Sequence, residues 1–131
     1  MRQINEEELE NILEEHVVWI ESRGQEGCQA DLSWADLCEA NLSVVNLSVA
    51  NLRGALLPGA DLTYMDLFKA NLSRADLSGA NLTGTDLSHA DLREANLKVA
   101  TAKGCLIYRT IFSSPKEKAR LLMLGATDEE D

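Results

Sequence analysis

The chain has 131 residues, 45% of them hydrophobic, the size and composition of one ordinary folded domain. A formal charge of -10 speaks against a general nucleic-acid binder and against an anionic membrane surface, since both require clustered Lys and Arg and no basic face is visible along the sequence. No apolar run approaches the roughly 18 residues of a membrane span, and MRQINEEELE lacks the basic and apolar regions of a signal peptide, so a cytoplasmic protein is expected.

Residues 1–29 read as a helix and a loop. Leu9, Ile12, Leu13, His16, Val17 and Ile20 recur at helical spacing, Asn5 with Glu8 forms a start signal, and Gly24 can end the helix. His16 lies on the apolar face and reads as a packed or capping histidine rather than a ligand. Trp19 and Trp34 are expected to close the junction between this segment and the next. Cys28, Cys38 and Cys105 are an odd number without CxxC spacing, which suggests reduced thiols and neither a disulfide framework nor a metal site.

From Ala30 the period is five. Leucine holds the third position in fourteen successive units, Leu32 to Leu97, and Asp or Asn holds the second in thirteen of them, Leu56 being the exception. On an α-helix a five-residue step leaves each leucine roughly 140° from the last, so no stripe forms. In a flat strand an odd period would send alternate leucines to opposite faces. A common interior requires a chain that turns a corner every five residues, closes after four units and stacks rung on rung about 4.8 Å apart. Leucine then fills the interior, Ala at the first position lets the walls close, and Asp or Asn bonds to backbone N–H groups at the corner. Carboxylates such as Asp61 and Asp66 are therefore structural rather than acid/base pairs.

The A(D/N)LXX run from Ala30 to Val99 resembles the pentapeptide-repeat family. The resemblance implies a right-handed quadrilateral parallel β-helix; the number of units makes it a β-solenoid of about four coils, and because its end rungs would face water if bare, an α-helix is expected to cap each end. After Val99, Ala102, Ile107 and Phe112 replace leucine, so the last rung is expected to be irregular but still wound, with residues 30–114 forming the solenoid. In residues 115–131, Ser114, Pro115 and Glu117 give an N-cap, a first-position Pro and a capping-box Glu ahead of Ala119, Leu121, Leu122 and Leu124, with Gly125 as the end. This second helix either plugs the last rung, the preferred reading, or meets a second copy to make a homodimer. The acidic tail TDEED is expected to be disordered.

Sorting units by fours places Val44 and Tyr64 outward on one side and Val49, Phe68, His89 and Tyr108 on the next. Together they are the candidate partner-binding patch, with Phe68 the first residue to substitute; scattered surface apolars are otherwise commonplace. His89 beside Ser88, near Asp86 and Asp91, would need a cleft to act as a hydrolase site, and a filled rod has none. No catalytic residue, cofactor site or phosphate loop is expected. The quinolone-resistance members of the family engage DNA gyrase by resembling B-form DNA, yet residues 30–114 carry nine acids and seven bases, a net charge of -2, while residues 1–29 hold eight acids against two bases. B-DNA over a rod of about 20 Å would carry about 12 negative charges. The favoured function is a non-enzymatic scaffold whose lateral faces and acidic first helix contact another protein; the alternative is a DNA mimic binding gyrase or another DNA-binding protein.

Overall fold

The computed structural model describes residues 1–43 and 45–129. Two helices flank the repeat, α1 at Glu6–Glu21 and α2 at Pro115–Met123. Helix α1 begins at the expected signal. The Asn5 side-chain oxygen accepts the Glu8 N–H at 2.8 Å, and Glu6, Glu7 and Glu8 set negative charge beside the positive end of the helix dipole. The exit turns through Arg23, at φ 57°, and the Gly24 N–H returns to the Trp19 carbonyl at 2.7 Å. Helix α2 has Pro115 in its first turn, but the Ser114 side chain makes no capping bond. The Glu117 carboxylate accepts the Ser113 N–H at 3.1 Å, one residue before the expected cap.

Between the helices one turn recurs. The leucine carbonyl accepts the N–H that opens the next unit, from Ala55 to Leu52 at 3.0 Å and from Ala90 to Leu87 at 2.9 Å. The residue before that donor stands near φ +60°, as at Trp34 (59°), Tyr64 (57°) and His89 (61°), which marks a type II turn. The second-position carboxylate or amide oxygen accepts the N–H two residues on, Phe68 to Asp66 at 3.0 Å and Ser88 to Asp86 at 2.9 Å. A hydroxyl after the leucine donates to the same oxygen, as Thr63 does to Asp61 at 2.7 Å and Ser78 to Asp76 at 2.6 Å. Only the acceptor is used, so Asp and Asn serve equally.

Each unit pairs with the unit twenty residues on. The Asn51 N–H donates to the Ala30 carbonyl at 3.0 Å and the Leu32 N–H to the Asn51 carbonyl at 2.8 Å, and the same parallel register joins Asp66 to Asp86 and Asn81 to Thr101. At five residues a side, a twenty-residue return gives four walls, numbered from the units of Leu32, Leu37, Leu42 and Leu47. The parallel strands expected from the sequence are reduced to isolated bridges at the second position, because a turn follows each one; within the turns the fifth-position N–H still bonds to the next rung, as Trp34 does to the Arg53 carbonyl at 2.7 Å.

The fourteen leucines are no more than 5% exposed, and Ala102 and Ile107 continue their stack at 1% each where leucine lapses. Phe112 is only partly buried, so the last rung is irregular, as expected. Thr85 replaces a first-position Ala and is fully buried; its hydroxyl donates to the Leu62 carbonyl at 2.7 Å.

At both ends of the stack, backbone groups that lack a neighbouring rung find other partners. The Arg2 N–H donates to the Trp34 carbonyl at 2.9 Å, its own carbonyl accepts the Asp36 N–H at 2.7 Å, and its guanidinium donates to the Asp31 carbonyl at 2.8 Å. His16 is fully buried against the first rung. Its Nδ1 accepts the Ala30 N–H at 2.9 Å, which obliges Nε2 to carry the proton and donate to the Ser48 carbonyl, also at 2.9 Å. Beyond α2, the Gly104 N–H donates to Gly125 at 2.9 Å and the Thr127 N–H to Cys105 at 2.8 Å. The tail expected to be disordered thus starts as a paired segment, and Asp128 forms an ion pair with Lys118 at 2.6 Å. No described helix is long and apolar enough to cross a membrane.

Candidate interaction surface

On wall 4 the two residues after each leucine point outward, and because the register is twenty, side chains far apart in sequence become neighbours. Phe68, His89 and Tyr108 come from three successive rungs. The His89 ring meets Phe68 edge-on at 5.4 Å between centroids and Tyr108 edge-on at 5.6 Å. Lys69 lies over the Phe68 ring at 5.4 Å and the Arg109 guanidinium over Tyr108 at 5.5 Å, while Arg109 Nε donates to the Tyr108 hydroxyl at 3.2 Å. All three rings are half-buried. Val49 joins the column one rung earlier, its N–H donating to the Phe68 carbonyl at 2.7 Å.

Tyr64 does not belong to this group. It projects from wall 3, 79% exposed, with its ring over Gly84 of the next rung. Val44 lies outside the described residues. Trp19 stacks on His16 at 5.7 Å at the N-terminal junction, as expected, whereas Trp34 lies on the outside of wall 1 over Gly54 and is 44% exposed.

Several titratable groups of the repeat are bound into turns or buried. The Asp61 carboxyl is held below its usual range by the hydroxyl and N–H of Thr63, and Asp91 by the Arg93 guanidinium, so both are anionic corner struts. Burial lowers the pKa of His16, against the opposing pull of its bond to Ser48, which keeps the ring neutral. The Cys105 thiol is pushed up to about 12 by burial with Asp86 adding to the effect, too high for a nucleophile. One feature is hidden in the sequence. Arg53, Arg74 and Arg93 meet on wall 1 and line a groove of about 440 Å³ with Glu94, Ser73, Ser113 and Phe112; Arg74 is paired with Glu94 and Arg93 with Asp91, so this is a local arginine cluster rather than a basic face. The signal is present only in the spacing, which is near twenty between consecutive arginines.

Comparison with known proteins agrees with this geometry. The family model for pentapeptide repeats matches residues 29–63 and 70–107 in eight copies. Among solved structures, the pentapeptide repeat protein alr5209 from Nostoc PCC 7120 is 33% identical, aligned over 86% of this chain and 93% of its own, with a TM-score of 0.50. Rfr23 from the cyanobacterium Cyanothece 51142 is also 33% identical, over 63% of this chain and 56% of its own, with a TM-score of 0.39. A pentapeptide repeat protein of the Arabidopsis thaliana thylakoid lumen is 29% identical over 73% and 74%, with a TM-score of 0.35. No curated protein shows significant similarity to the chain. With fourteen leucine-centred units in a twenty-residue register and a family match over more than half its length, the chain belongs to the pentapeptide-repeat family.

Proposed function

We propose that the protein is a non-enzymatic interaction module: a right-handed, four-sided rod of about four rungs over residues 30–114, closed by the helical segments 1–29 and 115–131, that docks another protein on wall 4. One observation carries this reading. Phe68, His89 and Tyr108 form a half-exposed aromatic column with a cation over the ring at each end. The outward positions of that wall, 48, 49, 68, 69, 88, 89, 108 and 109, hold Lys69 and Arg109 and no acid, so the fitting partner presents an apolar segment bordered by carboxylates. An interior filled by buried leucines supports a binding rather than a catalytic role. Three free cysteines support a reducing, cytoplasmic setting. Helix α2 buries Leu121 completely and sends the Arg120 guanidinium to the Leu97 carbonyl at 2.7 Å, which favours a plugging monomer over a dimer.

The test is quantitative co-purification of partners with wild type, Phe68→Ala, Tyr108→Ala and Tyr64→Ala, each variant first shown by thermal melting to fold. Partners lost at least tenfold with the two wall 4 variants and kept with Tyr64→Ala are expected. Equal recovery across all four proteins would remove wall 4 as the docking surface.

A further inference from the structure

The arginines of wall 1 are arranged unlike the rest of a strongly acidic chain. Arg53 is half-buried, and its Nη1 donates to the Ser73 hydroxyl oxygen at 2.8 Å. Ser73 is itself 3% exposed and donates to Asn71 Oδ1 at 2.6 Å, so the guanidinium is held from beneath by a fixed neutral group. Among the described residues Arg53 makes no ion pair, although its charge is felt by Asp91. Arg93 grips Asp91 with Nε and Nη2 at 3.0 and 2.7 Å. Arg74 pairs with Glu94 at 2.5 Å, but the two side chains are 52% and 60% exposed, so that contact is weak and easily exchanged for a stronger one. The Ser113 oxygen accepts the Glu94 N–H at 2.6 Å, which leaves its own O–H free to donate. Phe112 supplies an apolar wall to the same groove of about 440 Å³.

We propose that this groove binds a small organic oxyanion, a phosphate or a carboxylate carried on an apolar group, with Arg53 as the principal anchor. The planar guanidinium of Arg53 has open donors for two oxygens of one anionic group. Arg74 joins by swinging from Glu94, Ser113 contributes a hydroxyl, and Phe112 packs the ligand's apolar part. The surface lies on a different wall from the aromatic column, so this site stands or falls independently of the protein partner.

Calorimetric titration of the full chain at low salt with inorganic phosphate, phenyl phosphate and benzoate tests it. Saturable one-site binding is expected, with phenyl phosphate at least fivefold tighter than inorganic phosphate because of Phe112. The order of phenyl phosphate and benzoate identifies which anion the groove prefers. Arg53→Ala should weaken the better ligand at least tenfold and Arg53→Lys by less. Glu94→Gln, which frees Arg74 while keeping an isosteric side chain at the positive-φ position of its turn, should tighten binding several-fold and serves if Arg53→Ala fails to fold. No saturable binding by wild type, or Arg53→Ala and Glu94→Gln both matching it, overturns the proposal.

Discussion

A side chain in this molecule is judged first by the backbone it sits on. Val99 closes a type II turn at φ 61° and is 80% exposed, so a β-branched residue occupies the left-handed region with little packing to compensate. That conformation costs an ordinary residue about 1–2 kcal/mol, and Asn tolerates it best among residues that keep a side chain. Val99→Asn should therefore stabilise the protein by about 1 kcal/mol and raise the melting temperature by a few degrees; an unchanged or lower value in scanning calorimetry would mean that the turn is not strained. Gly54 tests the opposite sign. At φ 67° it lies beneath the Trp34 ring, and a methyl there would overlap the ring atoms. Gly54→Ala should lower stability by at least about 1 kcal/mol and change the Trp34 fluorescence as the ring lifts off; a superimposable emission spectrum would place the ring elsewhere.

Helix α1 depends on one histidine at its junction with the first rung. His16 is neutral, buried and bonded through both nitrogens, to Ala30 and to Ser48. Its folded pKa lies below the ordinary value near 6.5, so the unfolded chain takes up the proton first, and the stability this ring contributes is complete above about pH 6.5 and lost as the pH falls below it. Asp31, Asp36 and Asp61, held below the carboxylate range by turn hydrogen bonds, and Asp91, held there first by the Arg93 guanidinium, add a second loss only below about pH 4. Melting temperatures of wild type should fall between pH 7 and 5, whereas His16→Leu, destabilised at neutral pH by about 1–3 kcal/mol for each orphaned backbone group, should be flat over that interval. Parallel curves for the two proteins would assign the titration elsewhere. The start of α1 was legible because Asn5 and Glu8 are local to each other. The two hydrogen bonds of His16 were not, since Ala30 and Ser48 lie 14 and 32 residues away and nothing in the local pattern marks them.

At the scale of the whole molecule, the repeat was legible because each five-residue unit encodes its own corner: an acceptor oxygen, a leucine and a residue that takes positive φ. The same register let Phe68, His89 and Tyr108 be grouped in advance, while the Arg53, Arg74 and Arg93 groove stayed hidden because its charges are spread over forty residues of an acidic chain and meet only once the rungs stack. What the repeat does not encode is how it stops. A stack of parallel rungs presents open backbone donors and acceptors at its last turn, the kind of edge that recruits another chain unless it is covered. Here the cover is Gly125 to Thr127, which bonds to Gly104, Cys105 and Ile107, together with Leu121 buried on the last rung. Ending the chain after Ser114 strips all of this at once. Light scattering should then show end-to-end self-association that the full chain lacks. Amide exchange should lose protection first at Gly104 and Ile107, whose N–H groups donate to the deleted segment, and keep it at Asn51 and Leu52, which bond only to rungs still present. A truncated chain that stays monomeric with its last rung still protected would show that the rod tolerates a bare end, and α2 would then need another explanation than closure.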